Sequence, residues 1–575
     1  MHTGTRCPLW VTALFFLGSL SFGMALDTVR LNAVDVRSVP RIFGEPGPAL
    51  DTAVRGWNAQ DWLHRGAVVR ATTPGGSLLV GLSGLPAVYT GFHWLGFSMA
   101  SPTLGLTDGS WVHPAFRQSV AVETRLHGSY LGSGNLGGVV DLSKSWLGTD
   151  GTWAGVEGYS AGGGGTTFRI QSKTGTLGLY ASNALYRYPY RNYLGQTLTR
   201  MGADAQNLHA EYRGNWSLPR GGQLRWGVMA LSQDRGLPKS ASSSYGLGDR
   251  QRDRRVQSAL RWNWNRGQWT WSPGAFAWTD FQAYDARVVS LRDSHQTAGV
   301  RMDWTGTHPK GHWSAGWSQV GAWGPAHRPL SVGDGHWKGA YVLNGKGVQG
   351  VAWARLDYRN LAGDSRWAGS GGLQGRTSGG WEWNVARHFR WPTLNDLAWI
   401  PGGNLQLLPE QGWAAEALFR SKKAKNWSCE GQSKAMHLNQ SLVWMPVGIL
   451  WQPVNGGAWS QWFNRVRVER TGHVGLFWAE IQSTWSTAAF SVPWKGLIGF
   501  SGGRKSWKWG GEGAAQTASK LTPRWSTVRL WGGWTAGRWN VQVQTSNAVP
   551  WAVNFMGYYP NPQFYTTIQL IYKFK

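Results

Sequence analysis

The sequence predicts an all-β chain whose larger part is a transmembrane β-barrel. Three observations carry this. The 575 residues include 80 Gly and 41 Trp but only 15% charged residues and two Cys, which is far from a disulfide scaffold or a disordered chain. From about residue 146 onward, apolar and polar side chains alternate with period two, the pattern of half-buried strands. Beyond the N-terminal leader no apolar run approaches the roughly 18 residues of a membrane helix, in line with a mean hydropathy of −0.34.

The first element is an address. Arg6 precedes the apolar run from Leu9 to Leu17, and Gly23 and Ala25 stand at −3 and −1 of a cleavage site. A charged start, a short apolar core and small residues before the cut make residues 1–25 an export signal peptide. Cys7 lies before the apolar core, which argues against a lipoprotein signal. Cys429 is then the lone thiol of the mature chain.

The strands come next. Leu224, Trp226, Val228 and Ala230 share one face of their segment. Val256, Ser258, Leu260, Trp262 and Trp264 share a face opposite Gln257, Arg261 and Asn263. The turn Asn265-Arg266-Gly267-Gln268 leads into Trp269-Thr270-Trp271, and Ala536-Gly537-Arg538 joins two further alternating runs. Apolar residues on one face, Arg, Asn and Gln on the other, and Trp beside tight turns fit a lipid-facing band, aromatic girdles and a polar lumen. A soluble sandwich or propeller also alternates. Two facts weigh against it: 36 of the 41 Trp lie after residue 144, and no 40–50-residue repeat is visible. The C-terminal run puts Thr566, Ile568, Leu570, Tyr572 and Phe574 on one face, as a closing barrel strand would, with Lys575 after the last aromatic.

Residues 26–144 read differently. They hold nine Lys+Arg against eight Asp+Glu, whereas residues 145–575 hold 47 against 22. The excess behind the formal net charge of +27 therefore belongs to the barrel. A nucleic-acid partner is excluded by export. The arginines instead suit lipopolysaccharide phosphates, an anionic ligand or a lumen that holds a second domain.

At this point the chain resembles the TonB-dependent outer-membrane receptors, over essentially its whole mature length. Gly84-Leu85-Pro86 through His93 to Pro102, then Arg125-Leu126-His127-Gly128 through Gly138, resemble the strand–loop–strand and Gly-rich close of that family's plug. Phe389-Arg390-Trp391-Pro392-Thr393-Leu394-Asn395-Asp396-Leu397, Pro401-Gly402-Gly403-Asn404 and Leu408-Pro409-Glu410 resemble its barrel motif. Two plug positions depart: the usual Ile-Arg-Gly is Leu82-Ser83-Gly84, and the usual Asp-Gly is Leu95-Gly96. The resemblance implies a barrel of 22 antiparallel strands over 145–575. An α+β plug domain (26–144) would lie within its lumen, in the outer membrane of a Gram-negative cell. Strands of about 9–11 residues would then leave little chain for outer loops. A lumen that wide must be filled to keep the membrane sealed.

The resemblance further implies transport. The chain would import a scarce metal chelate, cobalamin or a ferric siderophore, on energy relayed by the inner-membrane partner TonB. Leu26-Asp27-Thr28-Val29-Arg30-Leu31 resembles the family's TonB box, and its alternation suits strand addition to a partner's sheet edge. His93 and Trp94 in the plug, with Trp391, Asn395, Asp396, Trp399 and Asn404 in a long connector, are the candidate ligand contacts. A passive barrel or a surface binding protein, an adhesin or a glycan binder, without energy coupling is the alternative. No nucleophile, carboxylate pair, metal-ligand cluster or cofactor motif is visible, so the reading is a non-enzyme with no resident cofactor or metal.

Overall fold

The alternation closes into a barrel. Twenty-two antiparallel strands, from Trp153–Tyr159 to Tyr565–Lys573, pair in sequence order, and the last pairs with the first through Ile568↔Gly158 and Leu570↔Val156. This computed structural model describes residues 67–71, 78–124, 128–143, 146–147, 151–191, 196–237, 249–286, 291–345, 348–361, 363–421, 426–447, 450–487, 494–517, 525–546, 555–556, 559–560 and 565–574. The expected leader (1–25) and Leu26–Leu31 lie outside the described residues.

The faces fall where the pattern placed them. In the strand Asp249–Arg266, Val256, Leu260 and Trp262 are exposed to the outside while Asp253, Arg255 and Gln257 are buried within. In Tyr565–Lys573, Ile568 and Leu570 face out and Gln569 faces in. Closure leaves no strand edge unpaired, which is what a sheet in lipid requires. Links on one side are short, such as Gly267-Gln268, Pro309-Lys310 and Gly537-Arg538. Gly267 and Gly537 begin their two-residue links at φ +62° and +54°, the left-handed conformation such tight hairpins use. Outward-facing Trp216, Trp262, Trp269, Trp304, Trp381, Trp427, Trp507, Trp534 and Trp539 stand beside these short links. They form an aromatic girdle at one membrane interface. Connectors on the other side are longer, with 185–204, 391–409, 440–458 and 547–564 the largest. That side is the cell exterior.

Strand length departs from the expected 9–11 residues. Asp249–Arg266, Trp269–Ala286 and Leu291–His308 have 18 residues each, and His327–Gly345 has 19. The cause is visible in Asp249–Arg255, which is polar on both faces and therefore stands above the bilayer. There Arg250 pairs with Asp204 (2.9 Å) and Asp234 (2.7 Å) across strands. This wall rises on extended hairpins instead of loops.

The lumen is occupied. A four-stranded mixed sheet sits inside, ordered Phe97–Ser98, Thr90–Trp94, Gly138–Asp141, Ala121–Glu123. Val80, Leu82, Phe92, Trp94, Phe97 and Met99 of this plug pack on the inward-facing Met229, Phe276, Trp278, Val320 and Val332. The unusual Leu95-Gly96 forms its two-residue hairpin link, with Leu95 at φ +50° and Gly96 at +83°. A leucine in that region is strained. Its side chain is buried in the same core, which offsets the strain.

Candidate functional site

Buried charge fastens the plug to the barrel at two places: Asp108 of the plug pairs with Arg235 of the wall strand Gly222–Leu237 (3.0 Å), and a second seat lies around Glu410. Glu410, at the head of Glu410–Arg420, accepts from Arg390 Nε (2.5 Å), Tyr89 Oη (3.1 Å) and the amide of Leu442 (2.5 Å). One carboxylate thus joins a wall strand, the plug and the outer hairpin Leu442–Val447/Leu450–Asn455. Burial and the charge of Glu410 hold the Tyr89 hydroxyl above its ordinary pKa, so it remains a donor. Lys434, completely buried, donates to Leu136 O (2.8 Å), Thr124 O and Ser83 Oγ (both 3.4 Å). Gln461 Nε2 adds a bond to Ser83 O (3.0 Å). Where the sequence resemblance leads one to expect a plug arginine, Ser83 stands, and a cation reaches the same place from the barrel wall.

The candidate ligand contacts divide. His93, on the central plug strand, is buried and lies 3.3 Å from Asn135 Nδ2. Burial first, then the nearby Lys338, Arg301 and Arg355, lower its pKa to about 3. Trp94 is buried too, donating to Glu211 Oε1 (3.1 Å) and tilted against Trp146. In the connector, the short helix Leu394–Ala398 starts at a capping box in which Thr393 and Asp396 bond each other's amides. Asp396 also accepts from Trp444 Nε1 (2.9 Å). Asn395 accepts from His327 Nε2 (2.5 Å) and bonds the plug through Thr103 O (3.2 Å). Trp399 stands edge-on to His327, and Asn404 donates to Pro453 O (3.4 Å). These groups build the connector and tie it to the plug. Of the seven, Trp391 lines a cavity at the plug's edge, its ring beneath Arg359 (4.8 Å) and its amide donated to Ser133 Oγ (2.9 Å).

That cavity, of about 220 Å³, lies between the plug and the wall strands from Leu291 to Leu361, under the start of the connector. Gly91 and Gly134 face it from the plug. A Cβ on Gly91 would meet Asn135 Oδ1 at 2.3 Å, and Gly134 turns at φ +80°. Both positions need glycine for the plug's Gly-rich close to fold back on itself. The lining cations exceed the anions. Arg355 pairs with Asp357 (2.6 Å), Arg359 with Asp334 (2.7 Å) and Arg390 with Glu410, while Asp303 is taken by Arg261 (2.9 Å).

No family model matches the chain, and no curated protein does. Solved structures do. The FrpB iron transporter from Neisseria meningitidis (F3-3 variant) matches with a TM-score of 0.74 at 11% identity, covering 91% of this chain and 97% of that one. The copper transporter OprC matches at 0.70 and 11%, covering 90% and 98%. The siderophore receptor PirA from Acinetobacter baumannii gives 0.70 and 11%, covering 91% and 96%. A closed 22-strand barrel around a sheet domain, matched nearly end to end, decides the architecture. The chain has the fold of a TonB-dependent outer-membrane receptor.

Within this receptor fold, reasoning from sequence overlooked the groups that hold the plug. Glu410 was seen only as part of a motif, and Lys434 not at all. Lys434, Arg301 and Lys338 each sit on the inward face of an alternating strand, a signal shared by many lumen residues. What distinguishes them is the partner opposite, which strand patterning does not specify.

Proposed function

We propose that this receptor imports a metal chelate, cobalamin or a ferric siderophore, and releases it on work delivered by TonB from the proton motive force. The observation that carries the reading is a wide barrel whose lumen is filled by a sheet domain seated on buried ion pairs. Such a plug blocks passive flow, so release of a bound cargo needs an external source of work. The neighbours described as transporting iron and copper or receiving siderophores support the cargo class. In this reading residues 26–144 form the plug with its coupling segment and 145–575 the barrel. Leu26–Leu31 pairs with TonB as an added strand. Outward-facing Arg250, Arg252 and Arg254 meet lipopolysaccharide phosphates at the outer leaflet.

Val29→Pro removes one backbone donor and fixes φ, which breaks strand addition and leaves the outer face intact. Cells carrying it should bind labelled cobalamin or ferric siderophore normally and accumulate none. Unchanged accumulation, with the variant or with the proton gradient collapsed, rejects energised import. His93, Trp94 and the connector residues Trp391, Asn395, Asp396, Trp399 and Asn404 form or frame the ligand site in this reading, Trp399 and Asn404 at its outer rim. Replacing Trp399 and Asn404 together with Ala should weaken surface binding several-fold, a stacking face and a polar group being worth roughly 1–3 kcal/mol combined. Affinity within twofold of wild type removes them from the site.

A further inference from the structure

The cavity wall carries two cations that the plug seat does not use. Arg301 donates to Ser98 O (3.2 Å) and lies over the Trp278 ring at 5.1 Å. Lys338 lies over the Tyr130 ring at 4.9 Å. Both line the cavity, and among the described residues neither forms an ion pair. Each carboxylate that lines the cavity, Asp303, Asp334 and Asp357, is already held by another arginine. Arg301 stands seven residues from the short-link end of its strand at His308, and Lys338 seven from Gly345. On tilted strands that is roughly 17 Å above the inner interface, near mid-membrane. Cations without an ion-pair partner at that depth are costly and mark a path for charge. The same field bears on His93 from below the connector.

We propose that Arg301 and Lys338 form an internal anion site, which holds a carboxylate or phosphate of the cargo at mid-membrane, between the plug and the wall. A cavity of about 220 Å³ admits one such group with a small body, not a whole large chelate. The site is therefore a station on the route and distinct from the outer mouth. It deepens the import reading by giving the cargo an anionic face, and only its role in transit rests on that reading.

The test uses the purified full chain in detergent micelles, titrated calorimetrically at low salt with citrate and, separately, with inorganic phosphate. At least one anion should bind with a single site. Arg301→Gln and Lys338→Met should each weaken it about tenfold, the scale of one charge-assisted hydrogen bond, while Lys338→Arg restores it. Citrate alone would assign a carboxylate and phosphate alone a phosphoryl group. Heat-modifiable mobility checks that each variant folds, and Arg301→Gln and Lys338→Met are read separately, so that one serves if the other does not fold. The proposal is overturned if wild type binds neither anion, if affinity stays within twofold in both single variants, or if outward-facing Arg252→Gln weakens binding as much. Anion binding together with uptake that survives Val29→Pro would sink the import reading and leave the site standing.

Discussion

The plug meets the barrel in two different ways. Toward Glu410, Lys434 and Gln461 it is joined by buried carboxylate, ammonium and amide groups, each at hydrogen-bond distance from a plug atom. Toward Arg301, Lys338 and Arg355 the wall cations form no ion pair with the plug among the described residues: Arg301 donates to Ser98 O (3.2 Å), Arg355 to Tyr130 O (3.4 Å), Lys338 lies over the Tyr130 ring, and a cavity opens beside them. The same kind of residue, a lumen cation on an alternating strand, does opposite work in the two places. On one side its charge is spent in seating the plug. On the other it is left for something that arrives. Seated around Glu410 and at the Asp108–Arg235 pair, the plug can loosen along the cavity wall without leaving the barrel.

The largest effect should come from breaking the seated side. Glu410→Ala leaves Arg390 without its carboxylate and Tyr89 and the Leu442 amide without their acceptor. Removing one partner of a buried pair costs about 3–5 kcal/mol. The barrel, held by its own ladder, should still fold and remain heat-modifiable, while limited proteolysis cuts the plug faster. Arg301→Gln is the comparison, and it should leave plug protection near wild type because it strands no buried carboxylate. Equal protection in Glu410→Ala and wild type would show that the seat lies elsewhere.

Much of the architecture was legible because it is periodic. Alternation in Val256–Trp264 and Thr566–Phe574 is imposed by lipid on one face and lumen on the other, so it is written locally. The motif around Phe389–Glu410 likewise located a segment that does bond the plug, through Asn395 and Glu410. The chemistry of the site was much less legible. His93 and Trp94 read in the sequence as a polar and an aromatic group of the plug, but they lie on a buried strand, where burial and the wall's packing decide their partners. Lys434 takes up the place of a missing plug arginine from a strand about 350 residues away. Pairings at that separation depend on how the barrel closes around the plug, and no local pattern records them.

The smallest effect tests the cavity side through His93. Its pKa is about 3 in the folded plug, against about 6.5 in an unfolded chain. Above pH 6.5 both states hold neutral imidazole and the residue adds no pH dependence. Below it the unfolded chain takes up a proton that the folded plug refuses, so stability falls with falling pH until the folded value is reached. The slope is about 1.4 kcal/mol per pH unit. The cause is burial plus the facing Lys338, Arg301 and Arg355, with Asn135 the neutral neighbour. His93→Gln keeps a polar group toward Asn135 and cannot titrate. Plug unfolding in urea, followed by proteolysis at pH 7.5 and at pH 5, should match wild type at the higher pH and exceed it at the lower. Adding citrate at pH 5 should narrow that gap if an anion seats between Arg301 and Lys338, because it screens the field on the imidazole. The same acid loss in both proteins would mean that neither burial nor the facing cations lowers the imidazole pKa in the folded plug.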